Sequence, residues 1–599
     1  MQDTDSARAD ALAHLRRGSD ALAEGRLDRA AESLVIAETI FRRLNDQEHA
    51  ARSRAMLAEA QRQSGAVEKA LTSYQRALAG FQQAGILDQE AAATLAMGHI
   101  ERQRGQSSVA RERYQRAAEV FAAAGKPAGE AAAWLALGHV EVQRGQLADA
   151  TADYAKARAL YARSGEALGE ADAARGTAGA DAERGDADAA YAAFGDALAI
   201  YRARRDVFGQ VDALIGQGRA RLAKRAFEEA GALFGEAITL AITVEYDLGR
   251  ADGTLGLADI ETQRGRWDQA LANAVQAGER YGAANNALGG AEVNRILGEV
   301  QLRRGDLAQA ITDFNRALRT FETLGARRQN VQAALGAGEA QRRRGSAHKA
   351  DDLFTDARAA AATINQPALE ATALLGLGTL AVQRGQSERA EALLGEARRR
   401  FEAQGHPTAA ALALAQSARL ALLRGQLDRA LSEVDEAITL VGDASANPGA
   451  EGVVANARLA QGDALAAFGR LQPARAAYDA ALELATRADD PYLLASLALS
   501  QAELELQGDD LQGAVGAFNR AAGVAQRCGA RALEGVASVG LGRVLLRREL
   551  WEEALIAHQE VLPRFREAED VAAQGLVHLG MGEARRQLGA LPEALESFD

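Results

Sequence analysis

Between Trp134 and Ala157 apolar side chains recur at helical spacing twice, at Trp134, Leu137 and Val140 and again at Leu147, Ala150, Tyr154 and Ala157, with Gly145 between the runs. Apolar positions three and four apart share one face of a helix, so the pattern predicts two amphipathic helices joined at a glycine turn, an αα-hairpin. Gly138 and Ala150 are small where the helices must approach, and Tyr154 with Ala157 forms a large-small pair that interlocks neighbours. The turn glycine returns at Gly25, Gly65, Gly105, Gly185, Gly265, Gly305, Gly345, Gly385 and Gly425, at intervals of forty residues or a multiple of forty. Arg225 fills the one gap. After a four-residue insertion the series resumes at Gly469, Asp509, Glu549 and Gly589. Seven residues before each turn stands a small residue (Gly98, Gly218, Gly298, Gly338, Gly378 and Gly582, or Ala58, Ala178 and Ala258), and five after it an alanine such as Ala30, Ala70 or Ala310. The aromatic slot reads Tyr74, Tyr114, Tyr154, Phe194, Phe234, Phe314, Phe354, Tyr478, Phe518 and Phe598. Fifteen units are expected, the last incomplete because Asp599 follows its aromatic residue directly.

The stretch from Trp134 to Ala157 resembles the tetratricopeptide repeat, whose pattern runs W-x2-L-G-x2-Y, A-x3-F and P. It departs from that pattern at Glu141, which stands in the tyrosine position, and in lacking the final proline. Forty-residue periods also suit HEAT and armadillo repeats and propeller blades. Gly98-His99, Gly138-His139 and Trp267-Asp268 imitate propeller fragments, but they lie inside helical periodicity. The long second helix is similar to the forty-residue tetratricopeptide variety of kinesin light chains and bacterial regulators. The resemblance implies an all-α solenoid of αα-hairpins, a right-handed superhelix of about fifteen repeats, with first helices lining a concave groove.

The remaining composition fits a stack that grows without closing separate cores. Many of the 59 glycines fall at turn and close-contact slots. Of eight prolines, Pro127, Pro367, Pro407, Pro448 and Pro491 are expected in connections, Pro473 and Pro592 in first helical turns, and Pro563 inside a helix it should kink or shorten. Thr4 or Asp5 is a candidate cap for the first helix. A net charge of −13 speaks against general attraction to nucleic acid or anionic membrane. No eighteen-residue apolar run and no signal-peptide core are present, and the single Cys528 excludes an internal disulfide framework, so a cytoplasmic protein is expected. Abundant alanine, and arginine far in excess of lysine, point to a GC-rich bacterial genome. The regular array is expected over residues 1–440, a longer connection and hinge candidate at 441–452, and a less regular array over 453–599.

No GxxxxGK[ST] loop, HExxH, GxSxG or paired CxxC occurs, so no catalytic residue, cofactor or metal is expected. Gly216-Gln-Gly218 and Gly376-Leu-Gly378 lack the preceding strand of a dinucleotide fingerprint and read as close helix packing. His99 and His139, one repeat apart, should project from adjacent helices on one face, about 10 Å apart between axes. Two ligands alone rarely make a metal site, which leaves ligand-facing or solvated histidines. A cation precedes nine turns (Arg104, Arg144, Arg184, Lys224, Arg264, Arg304, Arg344, Arg384 and Arg424). It either meets the negative end of its helix or forms an anion-binding track. The groove slots implied by the resemblance hold Asp172, Asp212, Asp252 and Glu292, then Asp259, Glu299 and Glu339, with Arg175, Arg219, Arg295, Arg303, Arg342 and Arg343 interspersed. The expected partner-binding residues are His99, His139, Asp212, Arg219, Asp252, Asp259, Glu292, Glu299 and Glu339. The expected function is a protein-interaction scaffold or regulatory sensing arm that binds a peptide or protein in the groove, without membrane or nucleic acid. Two alternatives stay open: a regulatory portion of a larger caspase-like peptidase, kinase or ATPase, and anion or nucleic-acid binding along the arginine ladder.

Overall fold

The computed structural model describes residues 2–442, 450–568 and 571–598, and among these there are thirty helices and no strand. The helices come in pairs. In the fourth hairpin Pro127–Gln143 and Leu147–Ser164 flank a three-residue turn. There Gly145 takes φ 78°, its N–H bonding the Val142 carbonyl at 2.9 Å while the Gln146 N–H bonds that of Glu141 at 2.8 Å. These two bonds satisfy carbonyls that the helix end leaves unpaired. The left-handed position recurs in register through Arg225 (φ 58°), Asp509 (62°) and Glu549 (61°), where a side chain bears a cost of about 1–2 kcal/mol. A second left-handed position follows twenty residues on, at Asn45, Gly85, Gly125, Arg205, Asn285 and Asn365 among others, and ends the outer helix. The forty-residue glycine period makes the first of these positions legible in the sequence, and the second, held by glycine, asparagine or arginine among others, is not.

Inside the array an aromatic ring locks three helices together. A Cβ added at Gly138, in the same hairpin, would lie 2.6 Å from the Tyr154 ring, and one at Gly176, in the next hairpin, also 2.6 Å. Phe314 sits likewise between Gly298 and Gly336, and Phe354 between Gly338 and Gly376. The Gly-x-Gly pairs are therefore two seats, Gly216 for Phe194 of the preceding hairpin and Gly218 for Phe234 of its own. Apart from Phe598, which is 45% exposed, the rings are almost wholly buried, and removing one such side chain costs about 3–5 kcal/mol.

The chain forms two compact units, Met1–Gly249 and Arg250–Asp599. Within each, inner helices of successive hairpins touch directly, as Leu87–Gln103 touches Pro127–Gln143 and Arg327–Arg344 touches Pro367–Gln383. Successive outer helices make no comparable contact among the described residues, so each stack bends with its inner helices on the concave side. In the second unit the bend brings distant hairpins together. The turn at Gly305 lies against Pro491 and Cys528, and Leu302, Leu307 and Ile311 share a buried cluster with Ala495, Ala525, Cys528 and Ala530.

Some local expectations change. The first helix, Gln2–Ala23, begins earlier than expected, so Thr4 and Asp5 lie in its first turn, where the acid favours the helix dipole, instead of capping it. Trp551–Ala568 runs five residues past Pro563 and is not shortened. Val561, Leu562 and Phe565, buried against Val539 and Val577, hold the turn around the proline. Pro127, Pro367, Pro407 and Pro491 are the first residues of helices rather than parts of connections, a place where the missing N–H costs nothing. Pro448 and most of the 441–452 connection lie outside the described residues. No helix among those described is long and apolar enough to cross a membrane.

Candidate functional site

The inner face carries polar side chains at fixed places, and the outer helices reach through to hold them. Where the aromatic lock is tyrosine, its hydroxyl meets the residue six before the turn. Tyr74 donates to Glu59 Oε2 at 2.9 Å and Tyr478 to Asp463 Oδ1 at 2.8 Å. Tyr114 shares a hydrogen bond of 2.9 Å with His99 Nδ1, and Tyr154 one of 2.8 Å with His139 Nδ1. Where the lock is phenylalanine this partner is lost, and the slot holds Gly179, Arg219, Glu299 or Glu339. Burial, then the cations Arg102 and Arg62, push the His99 imidazole down to about 4. Crowding by protein, then Arg102 and Arg175, do the same to His139, although that residue is exposed to solvent. Both rings are therefore neutral at pH 7. They belong to the same inner surface of the first unit, and no group of three metal-ligating side chains is found among the described residues.

Thirteen residues before the turn a second tyrosine hydroxyl binds the acid. Tyr201 donates to Asp172 at 2.6 Å, Tyr246 to Asp212 at 3.1 Å and Tyr281 to Asp252 at 3.0 Å. Tyr246 comes from the loop after the sixth hairpin, where the helix position used by Tyr201 and Tyr281 holds Ala241. Arg175 bridges Asp212 at 2.9 Å and Asp172 at 3.4 Å. Asp212 and Asp252 are thus fixed in place, and Arg219 projects exposed from Val207–Ala223.

In the second unit Arg295 donates to Glu292 at 2.9 Å and lies 3.6 Å from Glu299, and Gln263 donates to Asp259 at 3.3 Å. Burial, Glu299 and Glu292 raise the Asp259 carboxyl against the opposing pull of Arg295. Three carboxylates share one guanidinium here. One hairpin further, Glu339 accepts from Arg342 at 2.8 and 2.7 Å and from Arg343 at 2.8 Å. Against the cost of burial, these two guanidiniums pull its carboxyl down to about 2.

A tetratricopeptide-repeat family model matches residues 15–85 and 255–324. Over those residues the chain carries tetratricopeptide repeats. The crystal structure of a Rap protein complexed with competence and sporulation factor is similar at 16% identity and a TM-score of 0.48, covering 60% of this chain and 99% of that one. The APC/C hetero-tetramer Cut9-Hcn1 is similar at 14% identity and a TM-score of 0.43, covering 84% of this chain and 92% of that one. BtubC (BKLC) from P. vanneervenii is similar at 20% identity and a TM-score of 0.34, covering 37% and 92%. No curated protein matches the sequence.

Within each unit the cations of the arginine ladder stand in ion pairs. Arg104 reaches Glu68 at 3.1 Å, Lys224 Asp188 at 2.7 Å, Arg304 Asp268 at 3.0 Å and Arg384 Asp351 at 3.3 Å, each acid lying on the outer helix of the preceding hairpin. Arg424 pairs with Glu391 in the same way, while Arg144, Arg184 and Arg264 pair with acids three residues back. The forty-residue period gives these cations one slot per hairpin and no sign of their partners. The signal is an acid three or six residues after the preceding turn. The tyrosine clasps of the −13 acids were also missed, and their signal is a tyrosine sixteen residues after the turn.

Proposed function

We propose that this tetratricopeptide array is a protein-interaction scaffold whose inner face receives a peptide or protein segment, and that the seventh and eighth hairpins take a cationic side chain. The observation that carries the proposal is the grouping of Asp259, Glu292 and Glu299 around the single guanidinium of Arg295. Hairpin packing does not require it, because the locks are apolar rings on glycine and alanine. Half-buried carboxylates in excess over their cation cost free energy that an incoming ammonium or guanidinium would offset. Pairing within the ladder leaves that edge little free positive charge, which favours the groove over a polyanion track. A cytoplasmic setting accords with the single buried cysteine.

The test uses the full chain and two labelled nonapeptides, one arginine-rich and one glutamate-rich, followed by fluorescence anisotropy. The arginine-rich peptide should bind, and Asp259→Asn with Glu299→Gln should weaken it by more than two exposed pairs would, each worth ~0.2–1 kcal/mol. Helical content should stay unchanged. If the acid changes have no effect, while Arg304→Glu and Arg384→Glu abolish binding of the glutamate-rich peptide, the ladder is the working surface and the proposal fails.

A further inference from the structure

The closure inside the second unit joins residues far apart in the chain. Arg343 Nη1 donates to both carboxylate oxygens of Asp490, at 3.2 and 3.3 Å, across 147 positions of sequence. The Tyr492 ring lies 4.9 Å from the Arg343 guanidinium carbon and 5.8 Å from that of Arg342. Only 11% of the Arg343 side chain and 10% of the Asp490 side chain meet solvent. The receiving groups are preset, since Glu339 holds both guanidiniums from below. These residues lie on the concave face of the ninth hairpin, in the slots where a ligand of a repeat groove would bind.

We propose that Glu339, Arg342 and Arg343 form a recognition site for a carboxylate followed two residues later by an aromatic ring, and that the chain's own Asp490-Pro491-Tyr492 occupies it as a self-masking ligand. The segment does not need the site for its own fold. Asp490 Oδ1 caps the helix Pro491–Gln507 by accepting from the Tyr492 and Leu493 N–H groups at 3.0 and 3.2 Å. Nor do the hairpins need the contact, because in a repeat stack each unit is stabilised by its neighbours and the locks at Phe314, Phe354, Tyr478 and Phe518 are complete without it. The contact is separable. Beside it the Gly305 turn approaches so closely that a Cβ there would lie 2.7 Å from that of Cys528 and 3.3 Å from Pro491, an apolar seam that favours the closed state. The clasp is an intramolecular contact, so a partner with the same carboxylate-aromatic chemistry competes with it and, in binding, opens the seam. This inference is independent of the cationic site at Arg295, because its residues, ligand charge and readouts are different.

The full chain carries its own reporter, the single thiol of Cys528, 3% exposed within the seam. Arg343→Ala should raise the rate of Cys528 alkylation at least ten-fold at unchanged far-ultraviolet circular dichroism. An unchanged rate would show that the clasp does not hold the closure and would overturn the proposal. The second measurement vacates the site with Asp490→Asn plus Tyr492→Ala, since asparagine keeps the helix cap and removes the charge. A labelled Ala-Asp-Asp-Pro-Tyr-Leu-Leu peptide should bind this variant at least ten-fold more tightly than the unaltered protein, and adding Arg343→Ala should abolish the binding. Equal affinity for both proteins, no binding to either, or binding that survives Arg343→Ala would each refute the site. If the vacated variant is misfolded, the same peptide at millimolar concentration is added to the unaltered protein. Saturable acceleration of Cys528 alkylation supports the proposal, and a flat rate refutes it.

Discussion

One methyl group, placed at two glycines of the second unit, separates the contribution of the aromatic lock from that of helix propensity. Gly336 lies inside Arg327–Arg344 and Gly395 inside Ser387–Ala403. Replacing either by alanine removes the same backbone freedom from the unfolded chain, a gain of roughly 0.5–1 kcal/mol. At Gly395 the new Cβ meets only the flexible end of Arg399, at 3.7 Å, so the gain should appear in full. At Gly336 it would lie 2.4, 2.5 and 3.0 Å from atoms of the Phe314 ring. Carbon atoms pack at about 3.5–4.0 Å, so the ring must retreat by about 1 Å. It has little room to retreat, because the same ring also rests on Gly298, where a Cβ would already lie 2.9 Å away, and the ring is 2% exposed. Overpacking of this kind costs about 1–3 kcal/mol, so Gly336→Ala should be less stable than Gly395→Ala by about that amount, the propensity term cancelling. Urea unfolding followed by circular dichroism measures the difference, and hydrogen exchange over residues 307–344 assigns it to the interface between the eighth and ninth hairpins. Equal stability of the two variants would refute the lock.

Other outcomes follow from the same geometry. The His99 and His139 side chains should titrate near 4 by nuclear magnetic resonance. Because the unfolded chain takes up those protons below about 6.5, their stabilisation is complete above that pH and is lost as pH falls from about 6.5 to about 4; titration near 6.5 would contradict the burial described. Glu339, held near 2 against an ordinary 4.5, contributes stability that is present above about 4.5 and lost as pH falls towards 2, so Glu339→Gln should flatten the acid limb of the unfolding midpoint plotted against pH. Arg225→Gly relieves a left-handed arginine, and after the entropy cost of glycine it should stabilise the first unit by up to ~1 kcal/mol; a loss of stability in thermal unfolding would contradict the turn geometry.

The sequence by itself determined whatever depends on residues within about forty positions of one another. Glycine at the turn, alanine five residues later, the small residue seven before it and the aromatic ring nine after it fix the hairpin and its register, even where Arg225, Asp509 and Glu549 replace glycine. These features are legible because each reports a local requirement, a left-handed backbone or a close approach, and the period repeats the requirement fifteen times. The Gly-x-Gly pairs were legible as close packing for the same reason. The tertiary structure alone decided which acid each ladder cation meets, which hydroxyl holds Asp172, Asp212 and Asp252, and that His99 and His139 are bound to tyrosines rather than to each other or to a metal. Those choices depend on how one hairpin is rotated against the next, and the period leaves that rotation open. The meeting of Arg343 with Asp490 is further still from the sequence. It requires the small rotations of several successive hairpins to add up to a bend that brings the ninth against the thirteenth, and no single repeat encodes that sum.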